Sequence, residues 1–223
     1  MQRHQTGFTL IEIAVVLVII GLLLGGVLKG QELINSAKVK NLATDFRNIP
    51  VFIYTYQDRF KALPGDDVNA ATHINGTNAT TVATLGNGII NGGWNDSTTA
   101  SEAFVFWQHV RLAGLLSGST DTASSTYLPN NAANGKVGVQ SGTAVVANTP
   151  IKDSAGVAIR GTYLICSDNI TGKFVKPLDI TLDDGNTASG MMMAVPMGSP
   201  VSTSATATAA IDESAPYVVC MGV

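Results

Sequence analysis

The sequence predicts an α+β protein in which one long N-terminal helix leads into a head holding a second helix and a small antiparallel sheet. Three observations predict it. From Phe8 to Leu28 every residue is apolar or glycine except Thr9 and Glu12. Beyond it, Val39, Leu42, Phe46, Ile49, Ile53, Tyr56, Phe60 and Leu63 recur at alternating three- and four-residue spacings, the stripe of one helix face. From Gly135 onward, short apolar or alternating runs are separated by turn residues, the pattern of strands.

The first apolar span is about 21 residues, long enough for a helix to cross a bilayer. Glu12 interrupts it, and a carboxylate there costs about 3 kcal/mol, so it needs a partner or a purpose. Glu12 follows Phe8 by four residues and shares its helix face. A cut between Gly7 and Phe8 would place a new amine one turn from that carboxylate. A secretory signal peptide would instead show a shorter apolar core and a small-x-small cut site, and Gly25-Gly26-Val27-Leu28-Lys29 is a poor one.

Gly7-Phe8-Thr9-Leu10-Ile11-Glu12, behind a short basic leader and ahead of a long apolar run, resembles the type IV prepilin cleavage and methylation signal. That family comprises type IV pilins, type II secretion pseudopilins and competence pseudopilins. The resemblance implies a pilin-like fold and a leader, residues 1–7, removed by an inner-membrane prepilin peptidase that also methylates the Phe8 amine. It implies that Glu12 pairs with the amine of a neighbouring subunit. The implied partners are that peptidase, an inner-membrane assembly platform, and identical or related pilin subunits. The implied divisions are a transmembrane and assembly helix at 8–28, its amphipathic continuation at 29–63 and a globular α+β head at 64–223. The implied location is the inner membrane, single-pass with the head in the periplasm, and then a periplasmic or extracellular filament.

Charge around the span opposes that topology. Arg3, His4 and the initial amine precede it, whereas Lys29, Lys38, Lys40 and Arg47 follow closely, and a positive-inside count would leave the head in the cytoplasm. Long domains cross largely regardless of charge, so the outward orientation implied by the resemblance is preferred. Gly21 and Gly25, like Gly26 and Gly30, have the G-x-x-x-G spacing that lets helix backbones approach in lipid. Lys29 stands where many major pilins carry proline, which points toward a minor pilin or pseudopilin. Thirteen Lys and Arg against sixteen Asp and Glu, with no basic cluster interleaved with aromatics, give no reason to expect direct nucleic-acid binding.

Along the helix, Pro50 predicts a kink or a break, and Pro64-Gly65-Asp66-Asp67 a stop. Residues 66–100, rich in Asn, Thr, Gly and Ala, read as loops with one short element. Gly86-Asn87-Gly88-Ile89-Ile90-Asn91-Gly92 misses the G-x-G-x-x-G spacing of a phosphate loop by one place. Thr99 and Glu102 have capping-box spacing ahead of a second helix with Phe104, Phe106, Trp107, Val110 and Leu112 to Leu116, stopped by Gly118. His109 reads as a polar position on that helix. With His4 and His73 in unrelated segments, no zinc-type cluster is expected.

Val137–Val139, Ala144–Val146, Val157–Cys166, Met191–Val195 and Tyr217–Cys220 read as strands of a three- to five-stranded antiparallel sheet. Phe174 to Leu182 fits a helix through Phe174, Leu178 and Leu182, or a strand through Leu178, Ile180 and Leu182. Cys166 and Cys220 end two apolar runs. A bridge between them would close a loop of about 55 residues and contribute about 4 kcal/mol, and two buried free thiols are the alternative. Their position resembles the C-terminal disulfide loop of many type IV pilins, which favours a pilus role.

No cofactor is expected, with calcium the one candidate. Asp66, Asp67 and Asn69 form one oxygen-rich cluster, and Asp179, Asp183, Asp184 and Asn186 another. Some secretion pseudopilins hold calcium in a comparable C-terminal region, but neither cluster has EF-hand spacing and both suit ordinary turns. No nucleophile motif or metalloprotease signature occurs, so an enzyme is not expected.

Overall fold

The computed structural model describes residues 10–80, 85–143 and 148–223. The chain divides into two units, Met1–Lys38 and Val39–Val223. Helix α1 runs from Leu10 to Phe60. In the first unit it is exposed along its length from Leu10 to Leu28, with Leu10 at 92% and Leu22 at 73%. This helix is long and apolar enough to cross a membrane.

In the second unit, Val39, Leu42, Ala43, Phe46, Ile49, Ile53 and Tyr56 of α1 are buried, the stripe read from the sequence. The helix does not break at Pro50. Its proline costs about 3 kcal/mol in a helix interior. Ile49 and Ile53 flank it and are fully buried, each contributing about 1.5–3 kcal/mol, which outweighs that cost. The helix ends at Phe60, short of Leu63, because Lys61 turns left-handed (φ 54°) and donates its N–H to the Gln57 carbonyl.

Helix α2 (Ala70–Ile74) is the one short element expected before the second long helix of the head, α3 (Glu102–Leu112). The cap of α3 is Ser101 rather than Thr99, and no side-chain capping bond forms; the Ser101 hydroxyl donates instead to the Asn91 carbonyl, and Glu102 is turned toward the Asn91 N–H. It stops at Leu112, four residues before Leu116, where Ala113 and then Gly114 (φ 75°) close the turn. Residues Glu102 to Arg111 are all buried, so α3 is a core element on every face.

The main sheet has the order β1-β3-β6-β4, from β1 (Val137–Ser141), β3 (Tyr163–Thr171), β4 (Met192–Pro196) and β6 (Pro216–Gly222), all antiparallel. The strand expected over Val157–Cys166 begins only at Tyr163. Upstream, the Asp153 carboxylate accepts the Val157 N–H and bends the chain back on Ile151–Lys152. Downstream, β3 outlasts Cys166 because β6 pairs with it as far as Thr171 opposite Pro216, past an irregularity between Ser167 and Ile170. Two short strands, β2 (Ile151–Lys152) and β5 (Thr203–Ser204), pair in parallel and were not expected. The strand expected at Ala144–Val146 lies outside the described residues.

Phe174 to Leu182 is helical, within α4 (Gly172–Leu182). Phe174 and Leu178 are buried while Ile180 is 60% exposed, the opposite of what a strand through Ile180 requires. Both faces of the sheet are covered. Ile165, Val219, Met221, Met192 and Ala194 belong to the large core with α1, α3 and α4. Leu164, Cys166, Cys220, Met193 and Val195 form a second core with Ile151 and Ile159. Cys166 and Cys220 are direct register partners across β3 and β6 and are bridged, with S–S 2.06 Å. Two arginines of α1 tie down other helices: Arg47 donates to the Thr181 carbonyl at 3.1 Å, near the end of α4, and Arg59 to the Ala113 carbonyl at 3.0 Å, at the end of α3. Cations suit these positions because the last carbonyls of a helix lack intrahelical donors and carry partial negative charge.

Candidate assembly site and polar centres of the head

Glu12 lies on α1 in the first unit, exposed, with exposed Leu10, Ile11 and Ile13 around it. Gly7 and Phe8, the residues of the expected cut, lie outside the described residues. A methyl group added at Gly21 or Gly25 would meet nothing within 4 Å, and the same holds at Gly26 and Gly30. Residues four apart share a helix face, so each glycine pair is a shallow strip open to another backbone. Exposed apolar surface this continuous is unfavourable in water and is the mark of a surface covered by lipid or by partner helices.

Three arrangements of acidic residues in the head bear on the calcium clusters expected from the sequence. Asp67 is fully buried and accepts from the Tyr56 hydroxyl at 2.8 Å and the Asn69 N–H at 2.8 Å, while His73 Nδ1 meets it at 2.7 Å. Burial alone would raise this carboxyl, but the bonds from His73, Tyr56 and Asn69 outweigh it and hold Asp67 below its ordinary range. His73, which looked isolated in the sequence, is thus paired across α2 and also stacks on Phe60 at 5.3 Å.

Asp66, next in the chain, accepts the backbone N–H groups of Gly86 (2.5 Å), Asn87 (3.3 Å) and Gly88 (2.7 Å). Gly86 and Gly88 have φ of 72° and 79°, which turns successive amides toward one anion. The glycine-rich loop therefore does cradle a negative group, but it is the chain's own carboxylate. Spacing to Asp66, some 20 residues upstream, gave no sequence signal for this.

Asp179, Asp183 and Asp184 converge, with one carboxylate oxygen of each within 4.8 Å of the others. Asp179 is fully buried on α4; its Oδ1 accepts the Gly185 N–H at 2.6 Å, and its Oδ2 has no hydrogen-bond partner. Asp183 accepts the Met191 and Met192 N–H groups, and Asp184 the Asn186 N–H. Burial pushes the Asp179 carboxyl up to about 6, reinforced by the charges of Asp183 and Asp184 against the bond from Gly185.

His109 is fully buried, and is a strut within the core. Nδ1 accepts the Gly65 N–H at 3.0 Å and Nε2 faces the Thr77 carbonyl at 2.8 Å, so the ring is neutral with its proton on Nε2. Burial lowers its pKa accordingly. A cleft of about 680 Å³ runs over the second core between Trp94, Asn95, Gln140, Asp168, Met197 and Val201.

Residues 2–28 match the family described as the prokaryotic N-terminal methylation motif. The segment that precedes and opens α1 thus carries the type IV pilin and pseudopilin signal. No curated protein and no solved structure matches the chain.

Proposed function

We propose that the chain is a subunit of a type IV pilus-like filament, made as a membrane-anchored precursor, cut between Gly7 and Phe8 by a prepilin peptidase and methylated on the new Phe8 amine. The observation that carries this reading is the methylation motif at 2–28 running into a helix whose apolar side chains from Leu10 to Leu28 are all exposed. Such a helix first requires lipid and then, once withdrawn, other helices of its own kind. Pairing of Glu12 with the Phe8 amine of a neighbour would neutralise a carboxylate costing about 3 kcal/mol in the bilayer, and so favour transfer into the filament. The assembly platform and related pilin subunits are the partners of that step. Placement of the head outside the inner membrane is supported by the Cys166–Cys220 bridge, since disulfides persist in oxidising compartments.

A second reading, a type II secretion pseudopilin or minor pilin, is favoured by one residue: Lys29 stands where a major pilin commonly has proline. Intact-mass and N-terminal peptide analysis with and without the peptidase tests the common premise. A chain starting at methylated Phe8 only when the peptidase is present is expected; one retaining 1–7 refutes it. Glu12→Ala should leave cleavage intact and reduce incorporation, and normal incorporation would sink the pairing. The buried, unpartnered Oδ2 of Asp179 further supports a calcium ion at the Asp179, Asp183 and Asp184 cluster as a stabiliser of the head. Added calcium should raise the melting temperature of the wild type and not of Asp179→Asn; equal shifts would exclude that site.

A further inference from the structure

The cleft over the second core has a floor of strand side chains and a wall made by residues 89–95. Ile90 fixes that wall to the end of β1 in both directions. Its N–H donates to the Ser141 hydroxyl at 2.8 Å, and its carbonyl accepts the Ser141 N–H at 3.1 Å. Trp94 then lies on β1 at Gly138, where an added Cβ would collide with the Trp94 carbonyl and stand 3.2 Å from Cε3 of its ring. Glycine inside a strand marks such a close approach. Half-buried, Trp94 packs on the second core and lines the cleft. Gln140, only 7% exposed, accepts the Trp94 N–H on Oε1 at 3.0 Å. That bond fixes which way the amide points. Its Nε2 donor has no partner among the described residues, and Gln140 lines the cleft.

Asp168 stands toward the other end of the floor, where its carboxylate accepts the Lys136 N–H at 2.6 Å. Four residues of strand separate Lys136 from Gln140, about 13 Å. Asp168 is the one charged residue among the described residues lining the cleft. A phosphate or carboxylate ligand would meet this acid and no cation. A wholly apolar ligand would bury Gln140 Nε2 and Asp168 unpaired, which costs more than their bonds contribute. An added peptide strand has no edge to join here, because the Pro129 and Ile90 carbonyls already accept the Val137 and Ser141 N–H groups of β1. What fits is an uncharged molecule with an apolar face and a rim of hydroxyls. We propose that the cleft binds a neutral oligosaccharide. The C–H face of one pyranose ring lies against Trp94, Gln140 Nε2 donates to a sugar oxygen, and a hydroxyl of a neighbouring ring donates to Asp168.

The rim completes the match. Asn95 and Ser199 line the cleft with an amide and a hydroxyl, which both donate and accept, as sugar hydroxyls do. Met197 and Val201 line it too, 47% and 69% exposed, and a ligand seated between them would cover apolar surface now facing water. The volume of about 680 Å³ lies within the ordinary range of ligand sites, and the span from Gln140 to Asp168 calls for more than one ring. The bonds of Ile90 to Ser141 and of Trp94 to Gln140 hold the wall in place before any ligand arrives, so little ordering is left to oppose binding. Every one of these groups belongs to the second unit, so binding needs no assembled filament.

The test uses the full chain, labelled with heavy nitrogen, in a detergent without a sugar headgroup. It is titrated with cellotriose, maltotriose and triacetylchitotriose. The chain has two tryptophans, Trp94 and Trp107, and Trp107 is 2% exposed in the large core. With at least one trisaccharide the indole N–H signal of Trp94 should move saturably while that of Trp107 stays; Trp94→Phe assigns the two. Glucose, too short to reach both Gln140 and Asp168, should bind at least about tenfold more weakly. By calorimetry, Trp94→Ala should weaken the trisaccharide about tenfold. Gln140→Glu, which keeps an acceptor for the Trp94 N–H but removes the donor, should weaken it about tenfold as well. The wild-type titration needs no variant for its primary result. A still Trp94 signal with all three trisaccharides, equal movement of Trp107, or unchanged affinity in Gln140→Glu would overturn the assignment. Choline, a cation suited to Trp94 and Asp168 without Gln140, should move neither signal. Saturation by choline and not by sugar would make the cleft a cation site and overturn it too.

Discussion

Tyr56→Phe deletes a single oxygen from the centre of the head and leaves the buried ring in place. The deleted hydroxyl is one of three groups bonded to Asp67, at 2.8 Å, and the carboxylate it serves has no access to water. A hydrogen bond to a charged group contributes about 1.5–3 kcal/mol. The remaining donors, Asn69 and His73, cannot move to the vacated position, because one is backbone and the other is stacked on Phe60. The variant should therefore lose about 2 kcal/mol, which for a unit of this size lowers Tm by about 4–8 °C. Equilibrium urea unfolding at pH 7 measures it, with an unchanged m-value as the sign that only stability moved. The pH profile adds a second condition. Asp67 is depressed in the folded state, so its contribution is present above pH 3.8 and is lost as pH falls through its folded value. Removing a bond that favours the anion must shrink that acid-side loss. Destabilisation below about 0.5 kcal/mol, or an unaltered acid limb, would show that Asp67 does not depend on the hydroxyl and would refute the reasoning.

Three other outcomes are expected. Replacing both cysteines by serine should cost about 2–5 kcal/mol, measured by urea unfolding, because the bridge closes a 54-residue separation. Gly138→Ala should destabilise by about 1–3 kcal/mol or more, seen as a lower Tm, since its Cβ would lie 1.7 Å from the Trp94 carbonyl oxygen, where only backbone could yield. Asp179→Asn, compared in chelator, should flatten the part of the stability profile between pH about 4 and about 6: the raised carboxyl of Asp179 stabilises below its unfolded value and loses that contribution as pH climbs through about 6.

Much of the fold was legible because burial in this chain follows local periodicity. The stripe from Val39 to Tyr56, and the runs that became β1, β4 and β6, each present side chains to a face that periodicity can identify. Failures occurred where distant partners decide. Val157 to Arg160 has strand composition, but Asp153 bends it away. Phe174 to Leu182 satisfied two periods, and only the exposure of Ile180 separates them. Lys61 ends α1 in a conformation usually given to glycine, so its residue type gave no warning. The methylation motif was legible because its residues are contiguous. The cradle that Gly86 and Gly88 form for Asp66 and the convergence of His73 on Asp67 were not, since each joins residues whose spacing carries no rule.

The middle of the sheet belongs to a strand made late. β6 lies between β3 and β4, and neither of those touches the other without it. The ribosome delivers the chain from its N-terminus, so β3 and β4 emerge while the slot between them is still empty. Until residue 216 arrives, β3 has one open edge and β4 has no partner in this sheet at all. Cys166 likewise waits through the next 54 residues for Cys220. The interval is a window for capture by chaperones, for mispairing with another chain, or for oxidation with the wrong thiol. Yield of the native head should therefore depend on how quickly the last eighth of the chain follows the rest.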